Sequence, residues 1–213
     1  LHLALDDMGL VRSLTRNYIE SKTAVLEQAK AIFLDANVPA EALELILTIG
    51  RRAGVPVAAD PTSVGLAGTL RPHLKDLWLI TPNAAEAEVL CEHTQATYDR
   101  EASQEASPTR KHDRALEAAR YLVAEGVKIA LVTMAEFGVG YATAETSGHI
   151  PAVKTEVLDP TGAGDAQTAA VLFGLLSGIP LDESVRLGAS AAALTLRTPG
   201  SVVPDLSVEL LYD

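Results

Sequence analysis

Along the chain, apolar residues at helical spacing alternate with short apolar runs that end in turn residues. This is the pattern of repeated βα units around a parallel sheet. It predicts a helix around Thr15 to Ala29, the strand AIFLD (Ala31 to Asp35), and a helix in PAEALELILTIGRRAG, where Pro39 stands near the start and Gly54 just past the end. VPVAAD is the next strand, GLAGTLRPHLKD a short helix, LWLIT a third strand, and NAAEAEVLCEH a helix beginning at Asn83, a good capping residue. The strands are short and read as apolar on both faces, which suits central parallel strands covered by helices on each side.

From His93 to His112 the sequence is polar, contains Pro108 and has little apolar periodicity, which predicts a surface excursion. DRALEAARYLVAEGV restores an amphipathic helix ending at Gly126, KIALVTMA is a strand, and EFGVG is a glycine-containing turn. YATAE and HIPAV read as the strands of a hairpin. Two helices follow, from Asp165 to Leu176 and from about Asp182 to Arg197, the second so rich in small residues that it must pack closely against its neighbours.

Composition narrows the function. The 213 residues are 48% hydrophobic, enough for a globular core in a single domain. No run approaches the roughly eighteen apolar residues of a membrane span. LHLALDDMGL has no basic region ahead of a long apolar core, so a cytoplasmic location is expected. The one cysteine, Cys91, cannot form an internal disulfide and is expected to pack as a small apolar side chain. A net charge of −11, from 17 basic and 28 acidic residues, would repel a phosphate backbone and argues against a nucleic-acid polymer as partner. A small phosphorylated ligand, held by backbone amides and a metal ion, remains compatible with it. The five histidines lack metal-ligand spacing, and no serine stands in a GxSxG elbow.

The stretch VLDPTGAGDAQTAAVLFG, Val157 to Gly174, places small residues and a carboxylate at the start of a helix. Gly162 and Gly164 permit close backbone approach, and the free N–H groups of the first turn favour an anion such as a transferring phosphoryl group. Asp165 would repel that anion, but it could accept a proton from a hydroxyl attacking beside it. The plainer reading is a first-turn acid that serves the helix alone. The stretch is not a dinucleotide fingerprint, because the third glycine of GxGxxG would fall at Gln167. Nor is it a phosphate loop of the GxxxxGK[ST] type, because no lysine follows.

DPTGAGDAQTAA resembles the carboxy-terminal signature of the ribokinase-like, or PfkB, carbohydrate and nucleoside kinases. The resemblance implies a three-layer α/β/α fold with a mostly parallel sheet. It assigns Gly162, Ala163 and Gly164 to an anion hole for the transferred phosphoryl group and Asp165 to the base. It also suggests Asp159 and Thr161 as a monovalent-cation site, potassium for instance, although turn formation explains DPTG equally well. In ITPNAAEAEVL, Asn83 and Glu86 match the family's NxxE element. They would share one helical face and hold a hydrated Mg²⁺, or they would form a capping box. VTMAEFGVGYA is similar to the family's nucleotide-side turn, with Thr133 and Gly138 near ATP. Here Ala135 stands where the family usually has glycine, which puts close approach at that point in question.

The resemblance covers essentially the whole chain yet begins in the middle of the family's fold. The family's glycine-rich sugar-binding element and β lid have no counterpart in it, so residues 1–213 are expected to form a partial kinase domain, inactive and poorly soluble alone. FLDANVPAEAL and VAADPTSVGLAGTL look like the pseudouridine kinase branch, which implies transfer from ATP to the 5′-hydroxyl of pseudouridine. Ribose, adenosine or a phosphosugar would use the same machinery, and a nucleotide-binding domain without turnover is the rival class. A homodimer is compatible with the full-length form.

Overall fold

A computed structural model, describing residues 8–91 and 108–212, contains one six-stranded sheet among those residues. Strands β1 (Ile32–Asp35), β2 (Val57–Asp60), β3 (Leu79–Ile80), β4 (Ile129–Thr133), β5 (Val139–Ala142) and β6 (Ser147–Ile150) lie side by side in chain order. The first four are parallel, and β5 and β6 add on antiparallel. The helices between neighbouring parallel strands all pack into one core on the same face, as the right-handed crossover rule predicts for this strand order.

The two faces are legible in the strand alternation. Val57, Ala59, Ile80, Ala130 and Val132 point into a core shared with α3 (Ala40–Ala53), α5 (Ala84–Leu90) and α6 (Pro108–Ala124); the short helices α1 (Arg16–Ser21) and α2 (Thr23–Glu27) precede β1, and the one-turn α4 (Val64–Ala67) lies between β2 and β3. Ala58, Leu79 and Leu131 point the other way, onto Val171 of α7 (Ala163–Leu176) and Val185 and Ala189 of α8 (Leu181–Leu196). A period of two thus serves two helix layers, giving a three-layer α/β/α fold. A last short helix, α9 (Val208–Tyr212), buries Leu211 against Leu187 and Ala191 of α8. Among the described residues no helix is long and apolar enough to cross a membrane. Cys91 is buried, and burial pushes its thiol up to about 12.

α3 shows how local sequence sets an element. Its buried positions Ala42, Leu43, Ile46, Leu47, Ile49 and Gly50 form one stripe, and Gly54 ends it at φ 71, donating its N–H to the Gly50 carbonyl. α7 and α8 pack through small residues: a Cβ on Gly188 would lie 2.7 Å from Val171 Cγ2, and one on Gly174 would lie 2.5 Å from Ser184 Oγ.

Several boundaries differ from the sequence expectation. The first helix is broken at Lys22, where the Ser21 and Thr23 hydroxyls bond back to the carbonyls of Tyr18 and Glu20. Residues 93–107 of the expected excursion lie outside the described residues, but 108–112 are helical, with Pro108 at a first-turn position where its missing N–H costs nothing. The hairpin turn falls at Thr143–Thr146, organised by Thr143 Oγ1, which accepts the N–H groups of Glu145 and Thr146. Its strands are therefore Val139–Ala142 and Ser147–Ile150 rather than YATAE and HIPAV. Gly140, read as part of a turn, is a strand residue pressed against the backbone of α6, where a Cβ would lie 3.2 Å from Ala115 C. β1 departs from the two-sided apolar pattern: Phe33 is half exposed.

Candidate active site at the carboxyl edge of the sheet

The parallel strands deliver their last residues to one edge. β2 ends on Asp60, β3 runs through Thr81 and Pro82 to Asn83, and β4 ends on Thr133. The Thr133 N–H donates to the Pro82 carbonyl at 2.9 Å, which ties the start of α5 to the turn after β4.

The start of α5 is closed by its own side chains. Asn83 Oδ1 accepts the N–H groups of Ala85 and Glu86, both at 3.0 Å, and Glu86 Oε2 accepts the Asn83 N–H at 2.9 Å. The capping box considered for this pair is formed. Glu86 is 6% exposed; burial raises the pKa of its carboxyl, the Asn83 hydrogen bonds oppose the shift, and the charge of Asp60 adds to it. Burial likewise raises Asp60, against hydrogen bonds from the Thr62 N–H (2.7 Å) and the Thr81 hydroxyl (3.0 Å), and the charges of Asp165 and Asp35 push the same way. Asp60 therefore sits electrostatically between Glu86 and Asp165.

The start of α7 is built differently. Gly162 precedes it at φ 81, where a Cβ would overlap the Ser201 carbonyl oxygen and lie 2.9 Å from Ser201 Cα, so this glycine is required by the chain itself. No side chain caps the helix. Gly164, in the first turn, has nothing within 4 Å of where its Cβ would stand, and Asp165 beside it is exposed. Just ahead, Asp159 Oδ1 accepts the Thr161 N–H at 2.9 Å; the Thr161 hydroxyl and N–H, with the Gly200 N–H, hold the Asp159 carboxyl below the usual range.

A cavity of about 590 Å³ opens here. Asn83, Thr133, Gly138, Ala163 and Gly164 all line it, with Ala189, Ala192 and Ala193 of α8 among the rest of the wall. Of the other expected site residues, Gly162 and Asp165 flank Ala163 and Gly164 in sequence, Glu86 is buried in its cap, and Asp159 and Thr161 stay within their own turn; none of these five lines the cavity.

The turn after β4 shows what the departure at Ala135 costs. Ala135 has φ 50 and Gly138 φ 89, both left-handed. A Cβ on Gly138 would overlap the Ile150 carbonyl oxygen and lie 2.7 Å from Ala152 N. Ala135 occupies glycine conformation without being glycine, at a cost of about 1–2 kcal/mol.

Sequence reasoning missed Asp60, although an acid closing the run VPVAAD stands where parallel sheets present ligand-facing groups. It also gave the alanines of α8 only a packing role, while three of them line the cavity.

The fold and this edge define a class. The chain belongs to the pfkB family of carbohydrate kinases, which it matches over residues 10–207. It is 30% identical over 207 residues to the pseudouridine kinase of Escherichia coli (strain K12), an overlap of 97% of this chain and 61% of that protein. A carbohydrate kinase from Agrobacterium tumefaciens superposes with a TM-score of 0.79 at 26% identity, covering 100% of this chain and 63% of that one. An Arabidopsis thaliana ribokinase, solved with ribose and ATP, has the same fold, with a TM-score of 0.67 at 23% identity over 85% of this chain and 54% of that one. The chain spans about three fifths of the length of the pseudouridine kinase it matches.

Proposed function

We propose that this chain carries the phosphoryl-transfer machinery of a kinase that moves the γ-phosphoryl group of ATP to the hydroxymethyl group of a sugar or nucleoside, with the 5′-hydroxyl of pseudouridine as the leading acceptor. One observation carries the reading. Gly164 lies in a helix, where glycine is unfavourable by about 1 kcal/mol relative to alanine, yet no protein atom needs the space its missing side chain leaves. That space borders the 590 Å³ cavity at an uncapped helix N-terminus, where an anionic group is favoured.

On this reading the amides of Gly162, Ala163 and Gly164 hold the transferring phosphoryl group. Asp165 accepts the proton of the attacking hydroxyl as the new O–P bond forms and the bond to the β-phosphate oxygen breaks, releasing ADP. Thr133 and Gly138 face the nucleotide from the opposite turn. Asn83 and Glu86 suit a hydrated divalent cation: Glu86 is a buried carboxyl destabilised by burial and by Asp60, so a cation relieves both. Among the described residues no three acidic, histidine or cysteine side chains converge as direct ligands, which favours contact through water. Mg²⁺ bound there would screen the charge of the nucleotide phosphates. The Asp159–Thr161 turn, with its carboxylate favoured, is the place for a monovalent cation.

The pseudouridine assignment is supported by the 30% identity to the Escherichia coli enzyme. ATP-dependent phosphorylation by the full-length protein, measured over pseudouridine, ribose, adenosine and phosphosugars, tests it, with the highest kcat/KM expected for pseudouridine. A different acceptor at the top replaces the substrate, and no acceptor-dependent ADP release with any of them leaves nucleotide binding alone. Residues 1–213 by themselves are expected to leave all these acceptors unphosphorylated, because nothing identified at the site holds a hydroxyl against Asp165.

A further inference from the structure

His149, on β6, lines neither the 590 Å³ cavity nor a smaller one of about 440 Å³ bordered by Asn83, Thr133 and Phe137, yet its Nε2 stands 2.6 Å from the Phe137 carbonyl oxygen. A carbonyl only accepts, so Nε2 carries the proton. His112 of α6 stacks on the His149 ring, with centroids 4.0 Å apart and planes at 27°, and meets the Phe137 ring edge-on at 6.4 Å. Lys111 Nζ lies 4.2 Å from the centroid of the Phe137 ring. Phe137 closes the single turn Ala135–Phe137, so that turn is gripped by its carbonyl from β6 and by its ring from α6.

That turn is where backbone strain and the larger cavity meet. Thr133, Ala135, Glu136 and Gly138 line the cavity, and Ala135 is held at φ 50. A non-glycine residue keeps such a conformation only where its surroundings enforce it. Within the turn the backbone supplies three bonds, from the N–H groups of Met134 to the Gly138 carbonyl (2.8 Å), Phe137 to Met134 (3.0 Å) and Gly138 to Ala135 (3.1 Å); the Phe137 carbonyl, unused by these, is anchored by His149 from a neighbouring strand.

We propose that His149 is a positioning residue for the nucleotide. By fixing the Phe137 carbonyl it holds the Ala135–Gly138 turn in the shape that accepts ATP, and the His112 stack keeps the imidazole in place. The inference rests on reading the larger cavity as the nucleotide site.

His149→Leu removes the donor, while His149→Gln keeps an N–H that can reach the same carbonyl. In the full-length protein His149→Leu should weaken ATP binding about tenfold, by calorimetry and by KM for ATP, and leave the acceptor KM unchanged; His149→Gln should recover most of the loss. A folded Leu variant that binds ATP normally, ATP and acceptor constants that move together, or a Gln variant no better than Leu would each overturn the proposal. Should the Leu variant not fold, His112→Ala decides. ATP binding weakened severalfold at an unchanged melting temperature supports the clamp, and wild-type affinity removes it. Wild-type protein that binds no ATP overturns the site reading along with this inference, whereas normal wild-type binding with indifferent His149 and His112 variants overturns this inference alone.

Discussion

Two helices begin at the same edge of the sheet and treat their first turns in opposite ways. α5 satisfies its amides from within, through Asn83 and the Glu86 carboxylate reaching back. α7 begins with a left-handed glycine and no side-chain cap, and its Ala163 N–H makes only a long bond, 3.5 Å, to the Pro160 carbonyl. Asn83 and Gly164 nonetheless line one cavity. On the proposed reading, the difference separates a helix start that stabilises the fold from one kept available for chemistry. The buried carboxylate of the closed start, Glu86, is linked to the open one electrostatically through Asp60, which feels the charge of Asp165.

The comparison breaks most visibly at Asp165. Asp165→Asn keeps the shape and cannot take up a proton, so kcat should fall ~10²–10⁴-fold with ATP affinity nearly unchanged. Wild-type turnover at saturating substrates would remove Asp165 from the mechanism.

The two glycines of the open start should then respond with opposite signs. Gly164→Ala adds a methyl group where the protein has nothing within 4 Å, so stability in denaturant should rise by up to ~1 kcal/mol. Turnover should fall at least about tenfold, since the methyl group enters the space assigned to the phosphoryl group and even a small misplacement there is costly. Gly162→Ala forces a left-handed alanine against Ser201 and should lose stability, about 1–2 kcal/mol from the backbone alone. Full activity in Gly164→Ala would mean that the open start faces solvent rather than substrate.

At the closed start, Glu86→Gln retains an acceptor for the Asn83 N–H and removes only the charge. The Mg²⁺ concentration for half-maximal activity should rise while the melting temperature changes little. An unchanged Mg²⁺ requirement together with lower thermal stability would leave Glu86 a cap and nothing more.

The smallest effect is in the pH dependence of metal-free stability. Asp60 and Glu86 both have folded-state pKa values raised above the ordinary ones, chiefly by burial. The folded chain therefore binds these protons more tightly than the unfolded chain, and stability should decline as pH rises from the ordinary carboxylate range through the raised values. Urea titrations across that interval should show the decline, and Glu86→Gln should shrink it. An identical slope in the variant would mean that Glu86 ionises as freely folded as unfolded.

Much of this was legible in the sequence because it depends on local chemistry. Asn83 reads as a cap, Gly54 as a stop and TGAGD as a glycine-opened helix start, since each is decided within a few residues. What escaped was decided by distant neighbours. Gly140 is a strand residue because α6 presses on it, and Gly148 lies under the Tyr141 ring, where a Cβ would meet Cζ at 2.7 Å. The left-handed Ala135 is held by a turn whose clamp spans α6 and β6. Asp60 gains its importance only when β2 and β3 bring it beside Thr81 and the charges of Glu86 and Asp165. The alanines of α8 looked like packing residues because a wall of a cavity and a helix interface call for the same small side chains.

The side-by-side strand order bears on how the protein is made. During synthesis each of the strands β1 to β4 emerges next to its partner, so this part can assemble progressively through contacts of modest sequence separation. The helices bearing Asp165 and the alanine wall come after all six strands and cover the opposite face, leaving Ala58, Leu79 and Leu131 bare until then. A nascent chain halted before Gly162 should therefore present an apolar sheet face to chaperones. In pulsed hydrogen exchange, amides of β1 to β4 should gain protection before those of α7. The helix that carries Asp165 would then take shape only on a sheet already built.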